Sequence, residues 1–198
     1  SNHVPGNCFG ELKDIAMSLT EDKFVKPHGE RDNKFDEDRR KYYEDIGFEP
    51  VIKHFTAKGF RCITNEQAEY DAYLNTGTDK KHLPDILVID QFDHIKYMID
   101  VMTKSERNWG PGYPIYKHRT IDLLKRKEKY IPIAEKHKSL FLWATVRSDG
   151  NRFYLIDHVS LRKLNITPTS FGRPTDWSKE PELVYAVPRE LQTLVVPQ

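Results

Sequence analysis

The spacing of apolar positions changes several times along this chain, and each change marks an element. Phe9, Leu12, Ile15, Ala16 and Leu19 recur at helical spacing and predict a short amphipathic helix; the polar stretch 21–33 after it reads as a loop or arm. Asp36, Glu37 and Asp38 put acids where a helix start favours them, and Tyr42, Tyr43 and Ile46 give that helix an apolar side before Gly47 stops it. A second helix is predicted at once. Glu49-Pro50 stands at its start, Val51, Ile52 and Phe55 form its buried stripe, and Gly59 suits a left-handed cap at its end.

Over residues 60–64 the pattern turns extended, because Phe-Arg-Cys-Ile-Thr is short and rich in strand formers. A polar connection from Asn65 to His82 leads to 84–90, whose unbroken run Ile86-Leu87-Val88-Ile89 implies a strand buried on both faces. Residues 91–94 make a turn, and 96–104 return beside the second strand as a third, antiparallel one. Residues 108–114 read as a loop, and a basic helix is predicted from about Thr120 to Lys138, kinked or restarted at Pro132. Residues 139–146 form the next strand, the turn Ser148-Asp149-Gly150-Asn151 returns the chain through 153–159, and a Pro-rich tail beyond Leu161 carries one more strand at 183–187. The fold class is therefore α/β: a central mixed β-sheet flanked by helices in the order αβββαβ, with N- and C-terminal additions. Three regions follow: 1–35 as a helix and polar arm, 36–160 as the core, and 161–198 as an extension packed on it.

Composition supports one core, since 198 residues that are 38% hydrophobic and 12% aromatic supply enough apolar surface for a single domain. No apolar run approaches the roughly 20 residues that span a bilayer, and the N-terminus lacks a charged-then-apolar leader pattern. The expectation is an intracellular, cytoplasmic protein with no membrane partner. Cys8 and Cys62 stand far apart with no Cys/His cluster, which argues against a disulfide framework or a structural zinc site. The net charge of +1 conceals an uneven distribution: from Lys104 to Lys138 there are ten Lys/Arg against four Asp/Glu, whereas acids outnumber bases over the first fifty residues. A local basic face of that kind suits phosphate, although a solvated helix face is its commoner meaning.

Pro84-Asp85 opens the second strand and Asp100 lies inside the third. With that element order the chain resembles the PD-(D/E)XK nuclease superfamily, restriction endonuclease-like proteins with Holliday junction resolvase-type cores, over roughly residues 49 to 146. The resemblance implies a restriction endonuclease-like fold and a Mg²⁺-dependent endonuclease that hydrolyses nucleic acid, DNA in preference to RNA. Asp85 and Asp100 would be the catalytic carboxylates and the ligands of Mg²⁺ or Mn²⁺. The physics agrees: hard carboxylates from adjacent antiparallel strands converge within a few ångströms, repel one another when unpaired, and suit a hard cation. In this family a backbone carbonyl after the second acid completes the site, here that of Val101. A further acid comes from the first helix, here Glu49, whose alternative role is to complement a helix dipole. Glu66, Glu69, Asp71 and Asp79 are further acids in the connection before Pro84. Relatives often dimerise, so a homodimer is an expectation.

The chain departs from the family where a lysine should stand two residues after the strand acid. That position is Met102, whose thioether can neither orient water nor offset negative charge. Three readings compete: Lys104, on the same face about 7 Å further along the strand, reaches back; another lysine such as Lys117 serves; or the lysine has been replaced or lost, leaving a binding protein. A nucleic-acid surface is expected from Lys117, Arg119, Lys125, Arg126, Lys127 and Lys129, with Trp109, Tyr113 and Tyr116 placed to stack on bases. The alternatives are a non-catalytic nucleic-acid-binding module on the same fold and a protein-interaction or inhibitory role for the acidic N-terminal arm. The chain has no HxxxH or HExxH zinc spacing and no GK[ST] phosphate loop.

Overall fold

A computed structural model describes residues 33–74, 83–104, 118–122, 130–171 and 182–197. The predicted N-terminal helix over 9–19, the arm after it and the loop 108–114 lie outside these residues. The first described element is helix α1, Asn33–Ala57, which runs 25 residues without interruption and carries Pro50 inside it. This corrects the expectation of two helices broken at Gly47. Proline removes one backbone donor and ordinarily bends a helix, but Val51 and Phe55 are buried against the sheet and hold the segment in place. Each such side chain contributes about 1.5–3 kcal/mol. Gly47 lies on the same stripe, four residues before Val51. It permits close packing: a Cβ there would sit 2.4 Å from Thr103 Oγ1 and 3.0 Å from Val101 Cγ1. The helix ends as expected at Gly59, whose φ is +89°, with Phe60 N–H donating to the Phe55 carbonyl at 3.2 Å and Gly59 N–H to that of Thr56 at 3.0 Å.

The chain then builds β1 (Arg61–Thr64), a short helix α2 (Glu69–Tyr73), β2 (Ile86–Ile89) and β3 (Ile95–Lys104). After these come β4 (His118–Asp122), α3 (Tyr130–Lys136), β5 (Leu140–Arg147), β6 (Phe153–Asp157) and α4 (His158–Lys163). Last are β7 (Thr169–Phe171), β8 (Glu182–Pro188), a 3-10 turn (Arg189–Leu191) and β9 (Thr193–Val195). Six strands form one mixed sheet in the order β1-β2-β3-β5-β6-β9, in which only the β3–β5 pair is parallel. Helix α3 lies between β3 and β5 in sequence, as a parallel connection requires. The β2–β3 hairpin turns on Asp90, whose Oδ1 accepts the N–H groups of Phe92 at 2.8 Å and His94 at 3.0 Å. Those bonds hold the Asp90 carboxyl below the usual range.

Both faces of the main sheet are covered. Ile86, Val88, Ile99, Leu142, Ala144 and Phe153 pack with Val51 and Phe55 of α1 on one side. Leu87, Met98, Phe141, Trp143 and Ile156 pack on the other with Tyr70 of α2, Tyr130 and Ala134 of α3, Leu161 of α4 and Val187 of β8. The alternation explains why every residue of β2 is buried.

The predicted basic helix from Thr120 to Lys138 is corrected. Residues 118–122 are a strand that pairs with β8, and among the described residues the helix covers Tyr130–Lys136, with Pro132 inside it. Thr120 and Ile121 are β-branched, and the partner strand that recruits them comes more than sixty residues later. β4, β8 and β7 form a separate antiparallel sheet, while β9 is an edge strand of the main sheet. The strand predicted over 153–159 stops at Asp157, whose carboxylate caps α4 by accepting Ser160 N–H at 2.8 Å.

His158, only 3% exposed, replaces a ladder acceptor: its Nδ1 takes the Phe141 N–H at 3.0 Å. Burial pushes its pKa below the ordinary 6.5, and the nearby Arg162 cation pushes the same way, against Glu135 and Asp157. The unfolded chain therefore takes up this proton first as pH falls. The stability held above pH 6.5 is lost progressively below that value, until the folded-state pKa is also passed. In urea melts from pH 8 to pH 5, the wild type should lose stability more steeply than His158→Gln. Parallel curves would remove His158 from the acid response.

Candidate metal centre

Two carboxylates are brought together by strand register. The β2–β3 ladder ends with Ile86 paired to Ile99, and carrying that register one step past the end of β2 sets Asp85 opposite Asp100. Residues directly opposite in an antiparallel pair project to the same face with Cβ atoms roughly 4.5–5.5 Å apart. Both aspartates are partly buried, on the face that also carries Leu87, Met98 and Trp143. Strand alternation thus assigns Asp85 and Asp100 to one face of the sheet.

The ladder also gives Pro84 a function. In regular continuation, residue 84 would exchange two hydrogen bonds with Val101. Proline has no N–H to give the Val101 carbonyl, and the Val101 N–H instead donates to Asp85 Oδ2 at 2.7 Å. Because the N–H and C=O of a strand residue point to the same edge, the Val101 carbonyl is directed toward Asp85 as well. The Pro84 carbonyl is taken by the Tyr70 hydroxyl at 2.6 Å, and the Asp85 carbonyl by Asn65 N–H at 3.0 Å. Burial pushes the Tyr70 phenol well above its ordinary pKa, and the neighbouring Asp85 charge adds to this. Tyr70 thus stays a neutral donor that clamps the residue before the acid. Sequence reasoning missed it, since a tyrosine in a polar connection carries no signal until the fold places it.

No protein-family model, curated protein or solved structure matches this chain.

The remaining sequence-derived site residues are distributed as follows. Met102 and Lys104 share the face of Asp100 by strand alternation, and the parallel register sets them beside Thr145 and Arg147. Glu49 is exposed on α1, the helix that packs on the opposite face, and it borders a groove of about 720 Å³ with Glu44, Asp45, Lys53 and Glu66. The fold does not bring it to the aspartates. Glu69 pairs with Arg61 at 2.7 Å. Lys117, Lys125, Arg126, Lys127, Lys129, Trp109, Tyr113, Tyr116 and Asp79 lie outside the described residues; Arg119 has its backbone in β4, opposite Val187. Another groove, about 770 Å³ and lined by Lys53, His54, Leu142, Leu155, Leu194 and Val196, is on the α1 side.

Among the described residues no three His, Cys, Asp or Glu side chains are placed to hold one metal ion. The candidate donor set is the Asp85 and Asp100 carboxylates, which also have partners within the protein, and the Val101 carbonyl. All three are hard oxygens, and Mg²⁺ is commonly held by one or two carboxylates with water completing its octahedron. The residues fit that ion better than Ca²⁺, which takes more protein oxygens, or Zn²⁺, which favours nitrogen and sulfur.

Proposed function

We propose that this chain is a metal-dependent nuclease with a restriction endonuclease-like, PD-(D/E)XK core, which hydrolyses phosphodiester bonds of nucleic acid with Mg²⁺ or Mn²⁺, DNA in preference to RNA. One observation carries the reading: Asp85 Oδ2 accepts the Val101 N–H at 2.7 Å just where the β2–β3 ladder ends, and the continued register sets Asp85 opposite Asp100. The six-stranded mixed sheet, with α1 on one face and α3 on the other, supports it further.

A divalent ion held there supplies Lewis acidity toward a phosphoryl oxygen and a more acidic water. The chain's own residues do the positioning. Asp85 and Asp100 provide the negative charge that localises the cation, Val101 contributes a carbonyl from rigid strand backbone, and Tyr70 and Asn65 fix the strand entry. Nothing in this arrangement needs a covalent enzyme intermediate. Lys104 lies on that face by strand alternation, two residues past Met102, and we assign it the charge-offsetting role the family gives to lysine at position 102.

Mg²⁺-dependent cleavage of plasmid and single-stranded DNA tests the assignment. Met102→Lys is expected to raise activity at least about ten-fold, and Lys104→Ala to lower it by about 10²-fold, a typical loss for one electrostatic contact. If neither variant changes the rate, the lysine assignment is wrong. The Met102 thioether favours a second reading, a nucleic-acid-binding module without catalysis. Retained DNA affinity with no cleavage under any divalent ion, in wild type and Met102→Lys alike, selects it.

A further inference from the structure

The face that carries the two aspartates continues across β5 and β6. Register sets Trp143 beside Asp100, Thr145 beside Met102, and Tyr154 beside Thr145 on the far side. Trp143 is 5% exposed and Thr145 1%. Yet the indole Nε1 and the threonine hydroxyl have no hydrogen-bond partner among the described residues, and the same holds for Nε of Arg189, whose guanidinium carbon lies 6.0 Å from the centre of the Tyr154 ring. Folded proteins leave few buried polar atoms unmet, and each one calls for an explanation.

The chemistry of these atoms is one-sided. An indole N–H and a guanidinium N–H can only donate, and a hydroxyl can donate as readily as accept. The acceptor left unmet nearby in sequence is Gln192 Oε1, three residues after Arg189, whose own amide donates to the Val187 carbonyl at 3.3 Å. A patch of donors with a cation behind it suits an acceptor-rich anion. It begins one strand away from the half-buried Asp100 and Met102, so an anion at the metal centre has to reach only about 4.8 Å further to meet it.

We propose that Trp143 and Thr145, backed by Arg189, form a phosphate-binding strip beside the acid pair, supplying from β5 the donors that Met102 cannot supply from β3. The identity of the anion rests on the nuclease reading. Thr145→Val and Trp143→Phe are the variants of choice: the first removes a donor at nearly constant volume, the second a donor together with part of a buried ring system.

Two measurements decide it: anisotropy of a labelled DNA duplex in EDTA, and thermal melting with and without inorganic phosphate. Without ligand, Thr145→Val should melt at or above the wild-type temperature because a buried unmet donor is gone, and Trp143→Phe below it because the smaller ring leaves a cavity. Each should bind duplex about ten-fold more weakly, as expected for one lost hydrogen bond to a charged group. Each should also lose the phosphate-dependent rise in Tm beyond the salt effect common to all three proteins. Loss of the phosphate response alone supports the strip with free phosphate as its source, and loss of both supports it with the polynucleotide backbone as source. Unchanged affinity and unchanged phosphate response in both variants would overturn it, buried water then meeting these donors. Mn²⁺ titration of the wild type separates the two ideas: if Mn²⁺ binds while the strip fails, the nuclease reading stands, and if Mn²⁺ does not bind, that reading falls whatever the strip does.

Discussion

Asp85→Asn is expected to leave the metal-free protein folded and to abolish its stabilisation by Mn²⁺. The amide oxygen of asparagine can still accept the Val101 N–H that Asp85 Oδ2 accepts at 2.7 Å, so the local backbone keeps its partner while the charge is lost. Wild type in Mn²⁺ at a hundred times its Kd should gain about 2.7 kcal/mol by mass action, and both Asp85→Asn and Asp100→Asn should gain essentially nothing. Asp85→Ala differs. It also strands the Val101 N–H, which costs about 1–3 kcal/mol even without metal. Denaturant melts of the three variants with and without Mn²⁺ separate the two roles. Equal metal-free stability of Asp85→Ala and Asp85→Asn would show that the Val101 bond contributes nothing.

Gly47→Ala should destabilise the protein although alanine is the better helix former. Helix propensity favours the substitution by about 0.8–1 kcal/mol. The new Cβ, however, would stand 2.4 Å from Thr103 Oγ1 and 3.0 Å from Val101 Cγ1, so α1 and β3 must move apart. Overpacking of this kind costs about 1–3 kcal/mol, which leaves a net loss. The strain falls on the strand that carries Asp100 and the Val101 carbonyl, so Mn²⁺ affinity should drop together with stability. Adding Thr103→Ala, which deletes the nearest clashing atom, should recover much of both. A Gly47→Ala protein as stable as wild type would mean that the helix seats more loosely than the contact distances require.

The centre of the fold was legible because its signals are local. The apolar run Ile86 to Ile89, the Asp90–His94 turn and the alternation along β3 specify a hairpin without outside help, and its register, continued one step past Ile86–Ile99, sets Asp85 opposite Asp100. Elements whose identity depends on a distant partner were misread. Residues 118–122 look helical among their basic neighbours, and β8 makes them a strand. Gly47 and Pro50 are ordinary helix breakers in sequence, and only the packed face of α1 explains why the helix runs through both. At the candidate site the acids carry a signal in the sequence and the neutral residues do not. Asp85 and Asp100 stand out as acids in apolar strands, whereas Tyr70, Trp143 and Thr145 acquire meaning only from what they touch or fail to touch. Glu49 has a suggestive place along the chain, and the fold sets it on α1, which packs on the other face of the sheet.

Crystals soaked in Mn²⁺ and measured at an anomalous wavelength address the shared ion most directly. One anomalous peak is expected on the face of the β2–β3 hairpin, within about 2.0–2.3 Å of a carboxylate oxygen from each of Asp85 and Asp100 and close to the Val101 carbonyl. A map with no peak there at saturating Mn²⁺, or with the ion bound elsewhere and the two carboxylates held by protein groups alone, would contradict it.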